Sequence, residues 1–389
     1  MFQNIIENYQ LNEYPLVSVI VPAYNAQEYI GATLESLHCQ RYPHLEIIVV
    51  DDGSTDQTVQ IVKNAMIKDR RIRLFQQKNS GVAAARNRGI LHSKGSFIAP
   101  VDADDICYPD KIEKLVNCFQ TAGNHLGLAY SWSAFIDQNG NLSGKGQRSE
   151  FEGDVFEYLL FSNFVGNGSS CLIRRNCFNM AGFYNTSFFS QQAQGCEDHD
   201  IYLRIAEHFQ FKVIKDFLTG YRKTEYAMSK NYKCMEKSKQ LVFQNVKSRN
   251  PWIPDIVFDW SSAYFALWLS SLAASNGSYH DCMRYLIKAA QYDPLLIKNY
   301  EYLKRIYNYT GRSFKTKLKS AISIVSKINC LKKTHHYHVL PAKISITDLK
   351  QKPCLQPQKS SLGILKEKRM MHSCYLIRQA RINNGHFIR

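Results

Sequence analysis

Val17–Val21 (VSVIV) and Leu45–Val50 (LEIIVV) are short, nearly unbroken apolar runs rich in β-branched residues, and each stops in a polar loop. Runs of this length without polar alternation read as strands buried on both faces. The first gives way to Pro22-Ala23-Tyr24-Asn25, the second to Asp51-Asp52-Gly53-Ser54. A helical pattern with Ile30, Leu34 and Leu37 on one face separates them. A second helix, Thr58–Lys68, then leads to a third strand, Ile72–Gln76. Strands alternating with helices predict an α/β domain with a mostly parallel central sheet and helices on both faces. Ligands in such sheets sit at the carboxyl ends of the strands, which is where the polar loops fall.

A strand at Phe97–Val101 delivers Asp102, Asp104 and Asp105 within four positions. Carboxylates this close repel one another and call for a positive partner, and for hard oxygen ligands on a loop that partner is Mg²⁺ or Mn²⁺. Taken alone, the triplet reads equally as a solvated turn, because Asp is a common turn former. Its setting among other acidic and basic loops argues for a site. Ser80–Leu91 opens a helix carrying Arg86 and Asn87, where an N-terminus and a guanidinium together suit phosphate oxygens. Downstream are a helix at Asp110–Gln120, a strand at Leu128–Ile136 and a Gly/Ser-rich loop, Phe164–Arg175, that includes Gly168 and Ser169. The run Glu197-Asp198-His199-Asp200 heads a helix at Ile201–His208. Acidic residues favour helix starts, and Asp200 is assigned to capping. A cap does not need so many polar residues, which leaves Glu197 or Asp198 for chemistry.

In order and spacing, VSVIVPAYNAQEYI, LEIIVVDDGSTD, GVAAARNRGI, FIAPVDADDICYPD and EDHDIYLRIA resemble the inverting nucleotide-sugar glycosyltransferases of family 2. The resemblance covers roughly Pro15 to Ser229 and implies a Rossmann-like GT-A fold and transfer of a hexosyl unit. It implies that Pro22, Ala23, Tyr24, Asp51 and Asp52 hold the nucleotide base, with Arg86 nearby. Asp102-Ala103-Asp104 stands where the family has its D-x-D element: Asp102 against ribose and metal, Asp104 on the Mn²⁺ or Mg²⁺ that bridges the diphosphate. Asp198 takes the general-base position. Glu197, Gly168 and Ser169 are acceptor-side candidates. The donor implied is a nucleotide-diphosphate sugar, UDP-sugar first, and the acceptor a glycan or lipid-linked hydroxyl in cell-surface polysaccharide or glycolipid synthesis. The residue types suit this chemistry on their own terms. A cation neutralises the leaving diphosphate, and a separate carboxylate takes the acceptor proton as attack comes from the opposite face. The competing reading is a decayed transferase domain that only binds, acting through its C-terminal regions.

The expected organisation is an N-terminal extension (1–15), a catalytic domain (16–230), a helical region (231–310) and a basic, poorly ordered tail (311–389). In the helical region, Trp260–Ala274 and His280–Gln291 flank Asn276-Gly277 in the manner of one tetratricopeptide-type hairpin. The formal net charge is +16, and the tail carries 17 Lys and Arg against two acidic residues, so nearly all the excess lies there. Contact with an anionic membrane is one use for such a tail, through an interfacial helix around Phe314–Ile328. No nucleic-acid partner is expected, since no aromatic-basic interleaving appears. Eleven cysteines without C-x-x-C spacing, and an N-terminus without an apolar signal segment, lead to an expectation of a cytoplasmic protein, peripheral at the inner membrane face if the tail docks there.

Overall fold

The structure, a computed structural model, describes residues 14–224, 227–310 and 360–384. It divides into two compact units, Met1–Arg249 and Asn250–Arg389. The first holds strands β1 (Val17–Ala23), β2 (Leu45–Asp51), β3 (Ile72–Gln76), β4 (Phe97–Pro100), β5 (Ile106–Cys107), β6 (Leu126–Ile136), β7 (Leu142–Gln147), β8 (Cys171–Arg174) and β9 (Gln210–Arg222). Its helices are α1 (Ile30–His38), α2 (Thr58–Lys68), α3 (Val82–Leu91), α4 (Lys111–Thr121), α5 (Phe156–Phe161), α6 (Cys177–Ala181), α7 (Ser187–Ser190), α8 (Glu197–Ala206) and α9 (Tyr232–Arg249).

The strands form one sheet in the order β3-β2-β1-β4-β8-β6-β9-β5, with β7 on β6. Strands β3, β2, β1 and β4 are mutually parallel, as the alternation predicts. Beyond β4 the sheet is mixed: β8 runs antiparallel to β4 and β6, whereas β9 is parallel to β6. All seven residues of β1 are buried, which is why its sequence shows no polar alternation. One face of the sheet packs Val19, Val21, Ile47 and Val49 against Leu34 and Leu37 of α1, Val62 of α2 and Leu115 and Phe119 of α4. Burying each such side chain contributes roughly 1.5–3 kcal/mol. The parallel strands thereby become a rigid base for the loops at their carboxyl ends.

Strand β9 is far longer than the apolar run Lys212–Ile214 suggests. Its pairing with β6 shifts register around Ser131–Ser133, opposite a stretch that contains Lys215 and Asp216, so the two-residue period breaks midway. Helix α8 begins at Glu197, so its acidic residues lie within the first turn rather than ahead of it. Helix α9, expected to open the helical region, belongs to the first unit: Ser238 Oγ accepts the Cys196 N–H at 2.8 Å, just before α8.

The second unit contains α10 (Asp255–Ser275), α11 (Tyr279–Tyr292), α12 (Tyr300–Thr310) and α13 (Ser361–Asn383). The first two form the predicted hairpin, turning at Gly277 with φ 75°. Asp293 is fully buried after α11 and receives two hydrogen bonds from Arg369 of α13, at 2.9 and 2.8 Å, with the guanidinium over Trp260. Part of the stretch expected to be a poorly ordered tail is therefore a 23-residue helix, tied to the hairpin by a buried ion pair. The segment around Phe314–Ile328, expected as an interfacial helix, lies outside the described residues. Among the described residues no helix is long and apolar enough to cross a membrane.

Candidate functional site

The loops after β1 and β2 are stitched together. Ser54 Oγ accepts the Asn25 N–H, Asn25 Oδ1 accepts the Thr55 N–H, and Thr58 Oγ1 accepts the Ala26 N–H. Pro22 and Ala23 are buried beneath this seam, whereas Tyr24 stands half exposed above it. Asp51 and Asp52 are both buried. Asp52 accepts from Ser80 N–H (2.9 Å), Gly81 N–H (2.8 Å) and Gln77 Nε2 (2.8 Å), so it caps the approach to α3. Gly81 is required there: its φ is 89°, and a Cβ would sit 2.7 Å from the ring of Phe189.

After β4 the chain turns sharply, with Asp105 N–H donating to the Asp102 carbonyl. Asp105 points inward and is fully buried, accepting from Arg222 N–H and from Ser169 Oγ. Ala103 is buried, and its carbonyl accepts from Thr33 Oγ1 at 2.9 Å. Asp102 and Asp104 are the partly exposed members of the turn. Burial and the neighbouring charge of Asp102 raise the Asp104 carboxyl to about 6.

Arg86 joins the two acidic stations. Its guanidinium is 3% exposed and donates through Nη2 to Asp102 Oδ1 at 2.6 Å and through Nη1 to Asp198 Oδ1 at 2.7 Å. Asp102 and Asp198, remote from each other in sequence, thus share one buried cation, itself 112 positions from Asp198. The Asp198 side chain keeps 21% of its surface exposed, enough to meet a ligand. Desolvation lifts its carboxyl to about 6, against the pull of Arg86 and with a push from Asp102. Gly168 packs against this pair so closely that a Cβ would lie 2.8 Å from Arg86 Nη2 and 3.1 Å from Asp198 Oδ2.

Tyr184 escaped the sequence reading. Asn87 clamps Tyr184 through both its backbone N–H (2.9 Å) and carbonyl (2.8 Å). The Tyr184 ring thereby lies under the Arg86 guanidinium, 5.3 Å to its centroid. The only sequence signal was the adjacency of Arg86 and Asn87. Glu197 is buried and turns back on the Gly195 N–H at 2.7 Å, and burial raises its carboxyl to about 7. Ser169 is fully buried, with its hydroxyl taken up by the 102–105 turn, so neither residue presents itself to an acceptor. Asp200 does not cap α8; it forms an i,i+4 ion pair with Arg204 at 2.7 Å.

The acidic turn suits a divalent cation. Burial and the neighbouring Asp102 raise the Asp104 carboxyl, and among the described residues no hydrogen bond from another residue reaches that side chain, a strain that a cation would relieve. Among the described residues no three ligand-type side chains converge on one point, so an ion there would complete its shell from substrate oxygens and water.

Known proteins share the fold, and others share part of the sequence. The mixed sheet has the GT-A architecture: TarS 1-349 of S. aureus, solved in complex with UDP, superposes with a TM-score of 0.51 at 18% identity, over 83% of this chain and 93% of that one. The mannosyltransferase PcManGT from Pyrobaculum calidifontis, solved with GDP-Man and Mn2+, gives 0.50 at 18% identity, over 82% and 88%. Residues 18–179, all within the first unit, match the family model described as Glycosyl transferase family 2. A chondroitin synthase of Escherichia coli is 30% identical over 209 residues, 54% of this chain. The chain spans only 29% of the length of that synthase.

Proposed function

We propose that the chain transfers a sugar, with inversion, from a nucleotide-diphosphate donor to a hydroxyl of a glycan or lipid-linked acceptor in cell-surface polysaccharide or glycolipid synthesis. One observation carries this reading: Arg86 holds Asp198 and Asp102 within 2.7 Å of its two terminal nitrogens, so the proton acceptor and the donor-binding turn belong to one pocket. The stitched loops that bear Pro22, Ala23, Tyr24, Asp51 and Asp52 form the nucleotide cradle beside it. UDP in the TarS structure and GDP-Man in PcManGT support a nucleotide-sugar donor, and the Mn2+ of the latter supports a metal.

In this mechanism Asp102 and Asp104 would hold Mn²⁺ or Mg²⁺, which when bound would supply positive charge for the departing diphosphate. Asp198, ionised at neutral pH, accepts the proton of the acceptor hydroxyl as its oxygen attacks the anomeric carbon. Arg86 keeps that carboxylate ionised and fixed relative to the donor. Tyr184, stacked beneath the guanidinium, keeps Arg86 from swinging away. A decayed, binding-only domain has no support in the site, where both carboxylates retain their partners. The test is donor turnover with a panel of nucleotide sugars plus Mn²⁺. Asp104→Asn should abolish it, and unchanged turnover would refute the assignment.

A further inference from the structure

Ser169 sits where three elements of the site meet. Its Oγ accepts the Asp102 N–H at 2.9 Å and donates to Asp105 Oδ2 at 2.5 Å, so one hydroxyl closes both ends of the acidic turn. Its carbonyl receives the ammonium of Lys111, a fully buried cation whose Nζ also lies 3.2 Å from Cys107 Sγ, and Thr219 Oγ1 at 3.4 Å. The next residue back is Gly168, which leaves no room for a Cβ beside Arg86 and Asp198. The far side of the turn is pinned as well: Arg222 donates its N–H to Asp105 Oδ1 at 2.9 Å and its Nε to the Asp104 carbonyl at 2.7 Å. Asp105 therefore has both oxygens engaged inside the protein, and only Asp102 and Asp104 remain available to a ligand.

We propose that Ser169 is a positioning residue: its hydroxyl, braced by Lys111 and Asp105, sets the spacing of the Asp102 and Asp104 carboxylates and holds that turn in register with the Arg86–Asp198 pair. This rests on the transferase reading for its kinetic consequences, though not for its structural ones. Without this hydroxyl the Asp102 N–H and Asp105 Oδ2 lose the partner they share, so the Asp102 end of a turn whose carboxylates repel is no longer tied to its Asp105 end through Ser169. Partners of this kind behind metal-binding groups typically contribute about 10–100-fold in metal affinity or activity.

The test uses the full chain and Ser169→Ala. Amide hydrogen exchange, read without metal or donor, should speed up about tenfold across residues 102–105 while the sheet strands keep parent rates. The Mn²⁺ concentration giving half-maximal donor turnover should rise about tenfold, with a smaller fall in kcat. A purely structural role would instead lower the melting temperature and raise exchange throughout β1, β4 and β6 without moving the metal dependence. Parent-like exchange at 102–105 would overturn the proposal. If Ser169→Ala cannot be purified folded, Lys111→Met, which frees the Ser169 carbonyl, decides by the same two readings. Absence of donor turnover in the parent would sink the transferase reading, and the metal-free exchange measurement would still decide the role of Ser169.

Discussion

At the scale of single residues, the site is governed by carboxylates whose surroundings push them apart in role. Asp198 has its carboxyl raised to about 6 by desolvation, so it is largely ionised at pH 7 and loses its capacity to accept a proton as acid is added. The kcat/KM for transfer should therefore be flat above pH 7 and fall about tenfold per pH unit well below 6. A profile that stays flat to pH 4.5 would remove Asp198 from the base role. Glu197 tests the same physics through stability. Burial raises its carboxyl to about 7, so the folded protein favours the protonated form, and the stability present below the unfolded pKa is lost as pH rises through the folded one. Glu197→Gln should be the more stable protein at pH 8 by up to roughly 3 kcal/mol and indistinguishable at pH 4, in urea titrations at the two pH values. Arg86 acts by geometry as much as charge: a lysine there has no fork to reach Asp102 and Asp198 together. Arg86→Lys should lower kcat about a hundredfold while leaving the fold intact by circular dichroism.

At the scale of elements, helix α8, which bears Asp198, is held from behind. Helix α9 presents Ser238 to the Cys196 N–H and packs Met235 against Gly195, where a Cβ would meet the sulfur at 2.2 Å. Ser238→Ala leaves a buried N–H unpaired next to α8 and should cost about 1–3 kcal/mol in thermal unfolding. This brace was invisible in the sequence, because α9 shows no motif and its apolar positions do not say which unit they face. The parallel strands and the acidic runs were legible, since doubly buried strands and clustered aspartates each leave a local signature. Which aspartate faces inward was not. Asp105 and Asp102 look alike in a string, and only the distant Ser169 and Arg222 separate them. Likewise Asp52 reads as a nucleotide ligand from its position, yet the structure engages both its oxygens with the 77–81 segment, an arrangement set by tertiary contacts.

At the scale of the whole molecule, a first unit that carries the match to the glycosyl transferase family 2 model is followed by a helical unit and a strongly basic C-terminal stretch. The expected border at 230/231 differs from the division between the two units: α9 lies in the first unit, and α13 lies in the second, where Arg369 pairs with Asp293. The charge excess of 311–389 showed composition alone; the helix Ser361–Asn383 is tied to a buried partner 76 residues away in sequence, which no local pattern announces. The central claim is that two remote acidic segments share one pocket with divided tasks. Its most direct test compares Asp198→Asn with Asp104→Asn in two assays, thermal stabilisation by UDP plus Mn²⁺ and sugar transfer from the matching donor. Asp198→Asn should keep the stabilisation and lose transfer, whereas Asp104→Asn should lose both. Transfer surviving in Asp198→Asn at the parent rate would contradict the account.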